Sequence, residues 1–89
     1  MEEQMRVVVY GASWCGPCQK LKDELDTAEI PYVFRDIDSS PVFKNYALGV
    51  QKTIPLVQLE ANNGNAATVG GYDDTKNLLD LIRFLTREL

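Results

Sequence analysis

Apolar positions along the chain follow two different periods. Val7-Val8-Val9, inside the stretch Arg6 to Tyr10, is a β-branched run without alternation, as expected of a strand covered on both faces, and it predicts a central parallel strand. Beyond the turn Gly11-Ala12-Ser13-Trp14-Cys15-Gly16-Pro17-Cys18 the spacing becomes helical. Cys18, Leu21, Leu25 and Ala28 stand three and four apart, with Lys20, Lys22, Asp23, Glu24 and Asp26 on the other side, which predicts a helix to about Ala28. Pro17 suits its first turn, where a missing N–H has no intrahelical partner to lose. Pro31 marks the exit, and Tyr32-Val33-Phe34-Arg35-Asp36-Ile37 reads as a second strand. Strand, helix, strand at this spacing predicts a βαβ unit with a right-handed crossover.

The second half continues in the same way. Ser40 is placed to cap a helix with Pro41 at its first position, running from Val42 to Leu48 and ending at a left-handed Gly49. Ile54 to Leu59 predicts a strand with Pro55 at its start, because a central proline would lose a ladder hydrogen bond. Asn62-Asn63-Gly64-Asn65 is a hairpin signal leading to Ala67-Thr68-Val69. The tail from Thr75 to Leu89 places Leu78, Leu81, Ile82, Leu85 and Leu89 on one side of a helix, with Asp73 or Asp74 as its cap. The predicted order is βαβαββα, an α/β fold with a four-stranded mixed sheet and helices on both faces.

Composition narrows the chemistry. At 89 residues the chain is expected to be a single domain, 1–89. Nine Lys plus Arg against thirteen Asp plus Glu leave a formal charge of −4, the wrong sign for neutralising phosphates, so no nucleic-acid partner is expected. Histidine is absent, which removes Ser/His and Cys/His nucleophile pairs and every imidazole metal ligand. No apolar run approaches the roughly 20 residues of a membrane span, so a soluble protein without membrane contact is expected. The acidic start Met1-Glu2-Glu3-Gln4-Met5-Arg6 lacks the features of a secretory signal, and a cytoplasmic location is the default. A mature exported chain would read the same after its signal was removed.

The two cysteines, Cys15 and Cys18, then carry the argument. A bridge between them closes so small a loop that it stabilises little, and reactivity explains the pair better than stapling. In a strand-turn-helix setting Cys15 falls at the helix N-terminus, where unpaired N–H groups and the positive dipole end favour a thiolate nucleophile. Cys18, a turn further in on the inner face, is placed to resolve a mixed disulfide formed on Cys15. Two readings compete. A zinc site wants four N/S ligands, so it would have to be shared across a dimer. An incidental buried pair sits poorly with Gly16-Pro17, turn residues that expose it.

Trp14-Cys15-Gly16-Pro17-Cys18 is identical to the active-site signature of thioredoxins, and Thr53-Ile54-Pro55 is similar to the Thr-hydrophobe-cis-proline element of thioredoxins and glutaredoxins. The short length and Val69-Gly70-Gly71-Tyr72-Asp73-Asp74, similar to the Gly-Gly-Cys-Asp-Asp segment that holds glutathione, resemble glutaredoxins. Over nearly its whole length the chain therefore resembles the thioredoxin/glutaredoxin superfamily, as a glutaredoxin-sized redoxin with a thioredoxin-type motif. Two positions depart from it. The buried Asp six residues before the nucleophile in thioredoxins is Val9, and the lysine three before it in glutaredoxins is Ala12.

The resemblance implies a thioredoxin-like fold and a monomeric dithiol-disulfide oxidoreductase reducing protein disulfides, serving electron transport and cell redox homeostasis. Ribonucleotide reductase is a client it suggests. Trp14, Gly16, Pro17, Thr53, Ile54 and Pro55 become motif and substrate-binding residues, with Pro55 cis and the Ile54 backbone pairing with an extended substrate strand. Lys52, Gly71, Tyr72 and Asp73 become the glutathione-binding set. No bound cofactor or metal is implied beyond the redox-active Cys15–Cys18 disulfide, with glutathione as co-substrate. Gly16-Pro17 resembles the thioredoxin pair of about −270 mV, below the glutathione pool at about −220 to −260 mV by extraction, which favours a thioredoxin reductase over glutathione. Probe-based poise, about −280 to −320 mV, removes that advantage. Two other functions stand beside this one: a glutathione-dependent thioltransferase, and a redox-inert module using the Trp14 and Pro55 surface as a peptide-docking edge. Simpler roles are a solvated face for Lys20 and Lys22 and hydrophobic cover for Trp14.

Overall fold

The computed structural model of the chain describes residues 5–86; the Met1–Gln4 part of the N-terminal reading and the helix position of Leu89 lie outside the described residues. The elements are β1 (Met5–Gly11), α1 (Gly16–Thr27), β2 (Tyr32–Asp36), α2 (Pro41–Val50), β3 (Leu56–Ala61), β4 (Ala66–Gly70), α3 (Tyr72–Asn77) and α4 (Leu79–Thr86). The strands form one mixed sheet in the order β2-β1-β3-β4. β1 runs parallel to β2, with Val8 opposite Val33, and antiparallel to β3, with Val8 opposite Gln58.

The valine run occupies the centre, as its lack of alternation requires. Val7 and Val9 enter one apolar cluster with Leu21 and Leu25 of α1, Ile30, Val57, Leu59 and Ile82 of α4. Val8 and Tyr10 enter the opposite one with Ala12, Cys15, Cys18, Ile37, Leu56 and Ala47 of α2. Successive side chains of one strand thus bury themselves on both faces of the sheet.

Three expectations are corrected. Gly49 does not end α2, which continues to Val50; the chain leaves through Gln51 in extended conformation (φ −147°, ψ 137°), its N–H bonded to the Ala47 carbonyl at 2.9 Å. Among the described residues the left-handed glycines are Gly64 in the hairpin and Gly70 at the exit of β4. The tail is two helices, broken at Leu78 (φ −114°, ψ 16°), where the Leu78 N–H bonds tightly back to Thr75 while the Leu78 carbonyl already serves Ile82. The predicted stripe is not one buried face either, although Leu81, Ile82 and Leu85 share α4. Ile82 is buried, whereas Leu78, Leu81 and Leu85 are each at least 40% exposed. Finally, neither Asp73 nor Asp74 is the cap residue. Gly71 is the N-cap, and the Asp74 carboxylate accepts its N–H at 3.2 Å, which is the acidic arm of a capping box; Asp73 faces the dipole in the first turn.

Candidate functional site

The site begins where β1 ends. Ala12 accepts a hydrogen bond from the Cys15 N–H at 3.2 Å, folding the turn, and Cys15 becomes the N-cap of α1 in extended conformation. Its Sγ accepts the Cys18 N–H at 3.3 Å, so a sulfur does what a Ser or Asp oxygen does at other helix starts. Cys15 and Cys18 are joined as a disulfide. Cys18 is wholly buried, while Cys15 lies at the surface side with 6% exposure. Gly11 is what lets Cys18 lie so deep: a Cβ there would stand 2.7 Å from the Cys18 Sγ and 3.2 Å from the Phe34 ring.

The two departures from the resemblance are filled with apolar side chains. Val9 and Ala12 are fully buried, so no carboxylate stands at position 9 and no cation at position 12. The Ala12 carbonyl also accepts from Gln19 Nε2 at 3.2 Å, tying the turn to α1.

A second wall comes from the lead into β3. The Ile54–Pro55 peptide is cis, and the Ile54 carbonyl oxygen lies 3.8 Å from the Cys15 Sγ. Pro55 is buried, Ile54 half-buried, and Thr53 and Lys52 exposed. Gln51 Nε2 donates to the carbonyls of Thr53 and Pro55 at 2.8 and 3.0 Å. Gly71 closes this side, since a Cβ on it would lie 3.7 Å from the Pro55 oxygen. On the other side Trp14 is 68% exposed, too open to serve as hydrophobic cover, and its indole Nε1 donates to Asp38 Oδ2 at 2.8 Å.

The fold therefore brings Trp14, Cys15, Gly16, Pro17 and Cys18 onto one turn, sets Ile54 and Pro55 against the sulfur, and seats Gly71 behind Pro55. The side chain of Tyr72 goes elsewhere. It packs against the core cluster on the α1 face, and its hydroxyl donates to the Glu24 carboxylate at 3.1 Å. Burial, then that carboxylate, hold the phenol above its ordinary 10.0. Asp73 is exposed, and among the described contacts neither it nor Lys52 touches Cys15. Lys20 is exposed as expected, but the Lys22 ammonium lies over the Phe34 ring at 4.3 Å. Asp38, Gln51 and Gly11 were not singled out by sequence reasoning; only Gly11, at the end of a β-branched run, carries a local signal, that of close backbone approach. Among the described residues no group of three His, Cys, Asp or Glu side chains is placed to hold a metal ion, and no helix is long and apolar enough to cross a membrane.

A mixed sheet whose central strand leads into a Cys-x-x-Cys helix start, facing a cis-proline turn, defines a redox protein of the thioredoxin fold. Comparison with known sequences narrows this: the glutaredoxin family model matches residues 7–61, and the chain belongs to the glutaredoxin family. That match spans the cysteine turn and Thr53-Ile54-Pro55 and stops short of Gly71. No curated protein matches the chain. Among solved structures, a glutaredoxin from Brucella melitensis is similar over 99% of this chain and 98% of its own, at 18% identity and a TM-score of 0.68. A mutant thioredoxin from Halobacterium salinarum is 28% identical over 97% of this chain and 78% of its own, with a TM-score of 0.70. A buckwheat glutaredoxin–glutathione complex is 22% identical over 92% and 77%, also at 0.70.

Proposed function

We propose that the protein reduces protein disulfides by dithiol exchange, with Cys15 as nucleophile and Cys18 as resolving thiol. In the reduced protein the Cys15 thiolate attacks one sulfur of a substrate disulfide; a Cys15–substrate bond forms and the other substrate sulfur leaves as a thiolate. Cys18 then gives up its proton and attacks Cys15, forming the Cys15–Cys18 disulfide and releasing the second substrate thiol. Two electrons pass to the substrate, and a reductant returns them to the cysteine pair. The observation that carries this reading is the asymmetry of the pair: Cys15 at the surface side, its Sγ held by the Cys18 N–H and beside the Ile54 turn, against a Cys18 with no exposure. The exposed Trp14 and the Ile54 backbone, which precedes the β1–β3 ladder beginning at Leu56, offer an extended client its docking edge. Ribonucleotide reductase is a client in keeping with this chemistry.

For the reductant we favour a flavoprotein of the thioredoxin reductase kind. The buried Ala12 leaves no cation for a glutathione carboxylate, and the Tyr72 side chain is engaged by Glu24. Glutathione is the second reading, supported by the family match and by Gly71 lying beside Pro55. The test is NADPH consumption by the oxidised protein, with thioredoxin reductase in one cuvette and with glutathione plus glutathione reductase in another. Faster loss in the second reverses the assignment, and failure to accelerate insulin reduction under any reductant makes the chain a redox-inert binding module.

A further inference from the structure

Gln51 lies one residue beyond α2 and reaches forward across the turn that follows. Its stem is fixed, because its N–H is bonded to the carbonyl of Ala47, itself wholly buried beneath the sheet. Its carboxamide nitrogen directs both hydrogens at the same loop, donating to Thr53 O at 2.8 Å and Pro55 O at 3.0 Å. Those carbonyls flank Ile54, whose own carbonyl is the one beside the Cys15 sulfur at 3.8 Å. Residues 52–54 form bends outside any strand, and the pairing of β3 with β1 begins only at Leu56, opposite Tyr10. The ladder that fixes a strand in register is therefore missing here, and the two bonds from one side chain stand in for it. Gly71 lies on the far side, a Cβ on it standing 3.9 Å from Gln51 Nε2, so the half-buried amide sits between α2, the turn and the β4–α3 junction.

We propose that Gln51 is a positioning residue of the disulfide-exchange site: its carboxamide locks the turn about Ile54–Pro55 and so fixes where an extended client strand lies relative to the Cys15 sulfur. The inference rests on the protein-disulfide reading above and adds to it a residue that governs selectivity for protein clients over small disulfides. The chemistry asks for an amide in particular. Glutamate has the same shape, yet when ionised it would set oxygens against two carbonyl oxygens; methionine keeps the length and supplies no donor.

The test compares the full-length wild-type chain with Gln51→Glu and Gln51→Met, in reduction of insulin and of 5,5′-dithiobis(2-nitrobenzoate), a small disulfide with no backbone to align. In both variants the ratio of kcat/KM for insulin to that for the small disulfide is expected to fall about tenfold, the scale of one or two hydrogen bonds, with the change in the KM for insulin. Equal losses on both substrates, or none on either, overturn the proposal. So does failure of both variants to fold by circular dichroism, which would assign Gln51 to stability alone. A wild-type chain inactive towards insulin overturns the protein-disulfide reading itself, a result told apart from the others because it appears before any variant is compared.

Discussion

Cys15 caps α1 with its own sulfur, so an N–H donor meets the proposed nucleophile without any neighbouring cation at Ala12. The roles of the two cysteines separate on this geometry. Cys15→Ser is expected to abolish insulin reduction, whereas Cys18→Ser retains the first attack and accumulates a mixed disulfide, seen by mass spectrometry; loss of the adduct in the second variant would contradict the assignment. Gly11 supplies the complementary case. Gly11→Ala forces a methyl against the Cys18 sulfur and the Phe34 ring, and overpacking of this kind costs about 1–3 kcal/mol, to be read from urea midpoints. The cysteines and Trp14 were legible in the sequence because their spacing is local. Asp38 and Gln51 were not, since one acts from 24 residues after Trp14 and the other through a side chain that bonds to backbone, where residue identity carries little signal.

At the scale of elements, the strands are pinned across β2, β1 and β3 by Glu60, which accepts from Arg35 at 3.0 and 3.3 Å and from Arg6 at 3.1 and 3.3 Å; Arg35 also donates to the Tyr10 hydroxyl at 2.7 Å. Burial pushes the Glu60 carboxyl up, but the two guanidinium partners outweigh it and hold the group below its ordinary 4.5. A carboxyl lowered in the folded state contributes stability that is complete above the ordinary value and is lost as pH falls through the lowered one. Glu60→Gln should therefore be less stable than wild type at pH 7, and the difference in urea midpoint should shrink as pH falls below 4.5; a constant difference from pH 7 to 3 would refute the linkage. Most elements were legible from periodicity, including the Ser40 cap, whose hydroxyl accepts the Phe43 N–H at 3.4 Å. The two misread helix ends share a cause. Both were judged from residue type, whereas the backbone bonding decides them: the Gln51 N–H continues the helical bonding to Ala47 and carries α2 past Gly49, and the Leu78 N–H turns back to Thr75 and ends α3.

At the scale of the whole molecule, β1 is paired on both edges and buried on both faces. The amides of Val7 to Tyr10 are expected to be among the last to exchange with deuterated solvent and to report global unfolding, while those of the 62–65 connection exchange first. Protection centred on α4 instead would mean that the sheet does not close the core. This central placement was read from three adjacent valines, since a strand covered twice is where such a run is buried throughout. The helix α2 has a reach that no single contact conveys. The chain just ahead of it holds Trp14 through Asp38, and the residue just behind it holds the Ile54–Pro55 turn through Gln51, with Ala47 seated in the core between them. The two jaws around the Cys15 sulfur are thus mounted on one yoke. One helix carries both tethers, so a substitution that unseats Ala47 is expected to disturb the indole side and the proline side of the Cys15 sulfur together.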